Sequence, residues 1–512
     1  MECKVTQQGV SINDVLFDET LEQPVDTEFT LPDYCPEITR VLKCKITPKI
    51  SSKSINGGSL GIEGIAYVCL FYVDGDSGQV RSYEYPVQFA RSLDLGQSLD
   101  GASACVRAYT DYVNCRAVSE RRVDVHGALT LRVKITKLRT MNIVTDVDGA
   151  GVQMLRGSAP ATSPVGMAEK YLILNDEIEL SQGKQSIRSL LRTDARAVAS
   201  ECKIISNKII VKGELLLSAL YCGEENGEAE VLESAIPLSQ IIDMDGVNEA
   251  CDCAVAIDVV SLDMKPRTGM SGEARTLTVA AKLCITVRAF CNSDIPMIYD
   301  AYSTDYDAEV DTDDVTFEKV VCPVNESYLC KKTLEFSPDS IGRVTDLWCE
   351  TPPAAARNEE SQLVINGTVL ICMLVTDTQG APAYYERPVE YEYRHEMGLV
   401  PKGMRCEPEI TAVAASYTIG GSDNIEARVE LNVRADVFEV TKLPVVTDVR
   451  VREDAPKSKD DRAALVIYYA DDGERIWDIA RRYNTSVDEV TQLNSLTGDE
   501  LSSAKMLLIP SM

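Results

Sequence analysis

In Ile425-Glu426-Ala427-Arg428-Val429-Glu430-Leu431-Asn432-Val433-Arg434-Ala435-Asp436-Val437 apolar and polar residues alternate without a break. A period of two puts every apolar side chain on one face of a β-strand, whereas a helix would spread the same set around its circumference. Val123 to Ile135 alternates almost as cleanly. Leu277 to Phe290 is more apolar throughout, which predicts a more buried strand.

Working outward, each of these stretches sits at the same place in a longer repeat. Ile62 to Leu70 resembles Val211 to Ala219 and Ile365 to Met373, and the glycines within them, Gly64, Gly213 and Gly367, are 149 and 154 residues apart. Upstream, Ile38, Ile187 and Ile341 keep those separations of 149 and 154. Downstream, Ile143-Val144-Thr145-Asp146 recurs as Met297-Ile298-Tyr299-Asp300 and Val445-Val446-Thr447-Asp448, with aspartates 154 and 148 apart. Tandem duplication of one domain explains all three markers, and a period this long gives each copy its own core.

Turn-forming runs at Asp74 to Gly78, Gly223 to Gly227 and Asp377 to Gly380 follow the glycine-marked strands and read as hairpin tips. The expected fold is mainly β: three tandem antiparallel β-sandwich-like modules at 1–148, 149–302 and 303–451. The small-residue stretch Gly149 to Gly166 and the acidic stretch Asp305 to Asp314 are either linkers or extra strands of the module that follows.

The 512 residues carry 51 Lys+Arg against 80 Asp+Glu, a net charge of −29 that repels phosphate backbones and anionic lipid head groups. Nucleic acid is excluded as an expected partner. No run approaches the length of a membrane span, and Met1 to Gln8 is too polar for a signal peptide, so the expectation is a cytoplasmic protein with no integral membrane segment. The 17 cysteines include no CxxC pair, and Cys251-Asp-Cys253 has no nearby histidine. They read as mostly reduced, buried small hydrophobes, and no metal or cofactor is expected.

Candidate chemistry is sparse. His126, on the polar face of an alternating strand, and His395, in a charged strand or loop, are the only two histidines, and both read as ordinary surface residues. Gly57-Gly58-Ser59-Leu60-Gly61 matches the GxSxG nucleophile elbow, but a strand rather than a helix is expected after it. Asp74-Gly75-Asp76-Ser77-Gly78 opens like a calcium loop, yet Tyr85 stands where the bidentate glutamate belongs. The run from Asp305 to Asp314 reads as a solvated acidic segment. No catalytic residues are expected, and the protein is not expected to be an enzyme.

Arg452 to Arg462 is charged and nearly free of apolar residues, a predicted linker at 452–462. Beyond it the period changes. Ile476, Ile479, Ala480 and Tyr483 fall on one helix face, and Ser486-Val487-Asp488-Glu489 has capping-box form before a second short helix. Apolar runs on either side predict the order βααβ over 463–512. With Gly473, Ile476-Trp477-Asp478-Ile479-Ala480, Leu493-Asn494-Ser495-Leu496 and Leu507-Leu508-Ile509-Pro510 in sequence, this segment resembles a LysM domain. The resemblance implies a shallow groove for N-acetylglucosamine-containing glycan between the loops at Asp472 to Ile476 and from Leu496 onward. It places Gly473, Glu474, Arg475, Ile476, Trp477, Leu496 and Thr497 at the groove. The usual Gly-Asp-Thr/Ser reads Gly473-Glu474-Arg475 here, and the usual Pro-Gly-Gln reads Ser503-Ala504-Lys505. Trp477 is either a stacking or partner anchor or a packing residue of the helix.

Repeated β modules followed by a LysM domain resemble the SPOCS-domain spore-coat proteins, in particular the SipL-like coat morphogenesis family. The resemblance implies a noncatalytic scaffold in the mother cell at the forespore surface. Such a scaffold binds the coat basement-layer ATPase and other coat proteins, with LysM as its docking module. The alternative is a peptidoglycan or N-acetylglucosamine-glycan binder of the cell wall or cortex.

Overall fold

The computed structural model describes residues 4–149, 151–225, 227–270, 272–401, 403–420, 423–457 and 465–510. Met1 to Cys3, Asn226 of the second hairpin tip, 458–462 of the expected linker and residues 463, 464, 511 and 512 of the expected terminal domain lie outside the described residues.

In the first copy, β1 (Lys4–Thr30), β2 (Ile38–Asn56), β3 (Ser59–Asp74), β4 (Val80–Asp94), β5 (Ala102–Ala117) and β6 (Arg122–Asp148) form two antiparallel sheets, ordered β1-β6-β5 and β2-β3-β4. The second copy repeats this order with β7 (Val152–Glu179), β8 (Ile187–Ile205), β9 (Lys208–Gly223), β10 (Ala229–Asp243), β11 (Asp252–Thr268) and β12 (Ala274–Ser303), paired as β7-β12-β11 and β8-β9-β10. In the third, β13 (Tyr306–Glu335), β19 (Asn424–Pro456) and β18 (Met404–Ile419) form one sheet. Its other sheet has β14 (Arg343–Glu350) and β15 (Ala355–Glu359) on one side of β16 (Gln362–Thr376) and β17 (Pro382–Glu396) on the other. Pro352-Pro353 lies between β14 and β15, where residues without an N–H divide what is one strand in the other copies.

Alternation becomes burial. Ile425, Ala427, Val429, Leu431, Val433, Ala435 and Val437 all enter the core of the third copy, and the other two copies have cores of their own. The recurring glycine is a packing requirement in all three copies. At Gly213 a Cβ would collide with the Val198 carbonyl. Gly64 pairs with Phe89 and Gly367 with Tyr391, and a Cβ at either glycine would collide with the ring opposite. Edge strands β4, β10 and β17 carry Pro86, Pro237 and Pro388, which withdraw a donor from the open edge.

Both stretches left open between copies are strand. Gly157 pairs with Met297 inside β7, and Asp311 with Asp448 inside β13. The predicted linker begins too early, because β19 runs to Pro456 and Arg452 still pairs with Asp307. Four cysteines also depart from the reduced reading, as Cys202–Cys253 and Cys251–Cys291 are disulfides.

Three further apolar clusters lie between copies. Val144, Ile298 and Val446, each two residues before the repeated aspartate, meet Val147, Ala301 and Val449. Ile143, Met297 and Val445 meet in a second cluster, and Phe71, Leu220 and Leu374, each seven residues past the marker glycine, meet in a third. Residues from equivalent places share a cluster when the copies surround a common axis, so the sandwiches close into a pseudo-threefold ring.

The three seams carry different ion pairs. First-copy cations face third-copy carboxylates in Lys45–Glu350 (3.1 Å), Arg107–Glu409 (3.2 Å), Lys134–Glu407 (2.5 Å) and Lys43–Glu386. Between the second and third copies Arg192 pairs with Asp346 at 3.0 Å, with side chains only 6% and 1% exposed, and the guanidinium lies over Trp348. Lys53 and Glu169 join the first copy to the second at 2.7 Å. Unlike seams on like backbones disfavour a wrongly placed copy, which would bury unpaired charge. A polar cavity of about 310 Å³ remains between the copies, with Arg107, Tyr109, Tyr171, Asp258 and Glu409 among its walls.

Candidate partner-binding site

The terminal segment folds in the expected order: β20 (Leu465–Ala470), α1 (Ile476–Arg482), α2 (Val487–Asn494) and β21 (Lys505–Pro510), with β20 and β21 antiparallel. The capping box forms, since the Ser486 hydroxyl accepts from the Glu489 N–H and the Glu489 carboxylate accepts from the Ser486 N–H. Ile476, Ile479, Ala480, Val490, Leu501, Leu507 and Ile509 make the core.

The two expected groove loops lie side by side. The Gly473 N–H donates to the Leu501 carbonyl (2.8 Å), the Leu501 N–H to the Glu474 carbonyl (3.0 Å) and the Ile476 N–H to the Asp499 carbonyl (3.0 Å). Gly473 has φ +80, the left-handed region that glycine adopts without strain. The Glu474 carboxylate accepts from the Tyr468 hydroxyl (2.7 Å) and the Asp471 N–H (3.0 Å). Those bonds hold its pKa below the usual carboxylate range, the Tyr468 hydroxyl contributing most. Arg475 pairs with Glu500 at 3.3 Å. Thus Gly473, Glu474, Arg475 and Thr497 lie at the loop surface, Leu496 is half-buried against the core, and Ile476 is buried within it.

Trp477 points elsewhere. Together with Arg481, one helical turn on and on the same face, it meets the second copy of the repeat. The indole Nε1–H donates to Asp300 at 2.9 Å, and the Arg481 guanidinium binds the same carboxylate. The Tyr302 ring meets the indole edge-on, centroids 4.9 Å apart, and its hydroxyl donates to the Thr485 carbonyl at 2.7 Å. Lys457 donates to the Ser303 carbonyl and to Asn484 Oδ1, each at 2.7 Å. Burial pushes the Tyr302 phenol well above its ordinary range. The expected tethered module is therefore docked.

Sequence reasoning missed this contact, although a signal was present. Asp300 is the repeated aspartate, whose counterparts pair with arginines near in sequence, Asp146 with Arg156 at the start of the second copy and Asp448 with Arg450. Two residues on, the other copies have Asp148 and Arg450, whereas the second has the aromatic Tyr302. One copy thus offers an apolar seat for a tryptophan.

The other motifs resolve locally. Ser59 starts β3 after a strand-to-strand turn and donates to the Asn56 carbonyl at 3.1 Å, which is not a nucleophile elbow. The Asp74 carboxylate accepts from the Gly78 N–H and pairs with Arg81 at 2.8 Å, organising its own hairpin. The acidic run spreads along β13 against Arg450, Arg452 and Lys442. His126 is exposed between Asp26 (3.0 Å) and Asp124 (3.3 Å), and its hydrogen bond to Asp26 leads the causes that raise its pKa. His395 is not an ordinary surface residue: its side chain is 22% exposed and reaches Cys322. Among the described residues no group of three or more His, Cys, Asp or Glu could hold a metal ion, and no helix is long and apolar enough to cross a membrane.

The family model described as SipL, SPOCS domain, matches residues 37–118 and 186–266, and the LysM domain model matches 472–510. The first two matches cover β2 to β5 and β8 to β11 almost completely, leaving out the long first and last strands of each copy. No curated protein and no solved structure matches the chain.

Proposed function

From a chain that carries SipL-type SPOCS domains and a LysM domain, and is thereby sporulation coat-related, we propose a noncatalytic morphogenetic scaffold that binds the coat basement-layer ATPase and promotes encasement of the forespore. Its modules are 1–148, 149–302 and 303–451, followed by a short connection and the LysM docking module. Its place is the mother-cell cytoplasm at the forespore surface. The observation that carries this reading is the anchoring of the LysM domain by Trp477 on Asp300, with Gly473, Glu474, Arg475 and Thr497 on its outer loops. A docking module held at a fixed orientation on a ring loses little orientational freedom when a partner binds, which favours assembly.

The test is capture of the purified ATPase by the full chain, by the chain lacking 465–512, and by a Glu474→Lys/Arg475→Glu variant. Loss of capture in both altered proteins is expected. Undiminished capture by the truncated chain would overturn the reading.

The LysM match also favours a second reading, binding of peptidoglycan or another N-acetylglucosamine-containing glycan in the same loops. Calorimetric titration of the full chain with chitin and peptidoglycan oligomers separates the two. Saturable binding supports the glycan reading, and flat traces remove it.

A further inference from the structure

On the third copy, a thiol, an imidazole and a carboxylate stand in line. Cys322 Sγ is 3.2 Å from His395 Nε2, and His395 Nδ1 is 3.3 Å from Glu326 Oε1. The second oxygen of Glu326 accepts the Tyr393 hydroxyl at 2.6 Å, and the Tyr393 and His395 rings are stacked. Glu326 thereby favours the tautomer with the proton on Nδ1, leaving the Nε2 lone pair facing the thiol. The strand shifts register between Val320 and Cys322, a bulge of the kind that re-aims a side chain.

The chain's own repeats show that packing does not require this cluster. Register with the neighbouring strands puts Leu93 of the first copy where His395 stands, and Phe17 and Leu21 where Cys322 and Glu326 stand. Those three residues pack against the apolar core of the first copy. The third copy has replaced an apolar contact with the donor and acceptor sequence of an activated nucleophile. Cys322 is half-buried rather than enclosed. Burial, and then Glu326, push its thiol up, so at rest it keeps its proton and needs a base to react.

We propose that Cys322 is a covalent modification site for disulfides, with His395 as its base and Glu326 as a positioning residue. His395 Nε2 takes the thiol proton as Cys322 Sγ attacks one sulfur of a disulfide. The old S–S bond breaks as the new one forms, and the departing thiolate takes the proton from the imidazolium. One disulfide and one thiol become another disulfide and another thiol, so no further oxidant enters. The attacking group is a sulfur held in β structure beside a fixed base, and the substrate is an accessible disulfide, either small or on a protein. The inference does not depend on the LysM contact or on the scaffold reading.

The test treats the full chain with glutathione disulfide in one arm and with insulin, as a protein disulfide, in the other. Adduct formation at Cys322 is followed by peptide mass spectrometry. His395→Leu installs the first copy's residue and removes the base, and thermal denaturation checks that the variant is folded. His395→Gln replaces it if the leucine variant does not fold. The expected result is a Cys322 adduct in at least one arm, formed roughly tenfold or more slower in the histidine variant. No Cys322 adduct in either arm, while exposed Cys105 reacts, would overturn the proposal. Equal rates in parent and folded variant would overturn it too.

Discussion

The indole N–H of Trp477 donates to the Asp300 carboxylate at 2.9 Å, joining the terminal domain to a sandwich 177 residues earlier in the chain. Because Arg481 uses the same carboxylate, Asp300→Ala removes two partners at once and leaves the indole N–H without its acceptor. We expect the terminal domain to loosen from the ring by about 1–3 kcal/mol. Hydrogen exchange over α1 should rise while exchange in the sandwich cores stays unchanged. Asp146→Ala, at the equivalent place in the first copy, should leave α1 protected as before.

Tyr302 contributes an edge-on ring and a hydroxyl. Tyr302→Phe keeps the ring and should cost about 1 kcal/mol for the bond to Thr485. Tyr302→Ala should cost about 3–5 kcal/mol, the range for deleting a buried aromatic. Protection of α1 in the same exchange experiment ranks the variants.

Arg192 and Asp346 are almost wholly buried between the second and third copies. Asp346→Ala removes the nearer of the two carboxylates on the buried guanidinium, leaving Asp194 at 3.6 Å, and should destabilise the ring by about 3–5 kcal/mol, whereas Arg192→Met/Asp346→Leu together should cost much less. Thermal denaturation of the full chain compares them. Equal midpoints for single and double variants would contradict the role given to the pair.

Acid should open the ring. Burial works to raise the pKa of Asp194 and Glu407, but it is outweighed by Arg196 and Lys45 around Asp194 and by Lys134 bonded to Glu407, and each carboxyl is held down to about 2. Groups with depressed folded values stabilise fully above their ordinary values of roughly 4, and that contribution fades as pH falls toward 2. The midpoint should drop between about pH 4.5 and 2, with a shallower drop in Glu407→Gln.

Gly367→Ala should destabilise the third copy by about 1–3 kcal/mol, because its Cβ meets the Tyr391 ring. Gly367→Ala/Tyr391→Ala should not add the two costs, since removing the ring makes room for the methyl. Chemical denaturation of the four proteins in this cycle gives the coupling.

The sandwiches were legible because their information is local. Alternation from Ile425 to Val437 states which side chains share a face, and recurrence of Gly64 as Gly213 and Gly367 states that the same face was built three times. The terminal βααβ unit was legible for the same reason, through its helical period and its Ser486–Glu489 capping box. Composition left Gly149 to Gly166 and Asp305 to Asp314 open between linker and strand, and the long partners β12 and β19 decide for strand.

By itself, then, the sequence determined three repeated sandwiches and the fold at the end of the chain, because side-chain period and turn chemistry act between near neighbours. Tertiary structure alone decided that the copies close around one axis, that Trp477 lies on Asp300 and that Cys322 faces His395. Those partners stand 73 to 305 residues apart, and no periodicity encodes such a distance. Each contact depends on where a packed face leaves its exposed residues after the strands have paired.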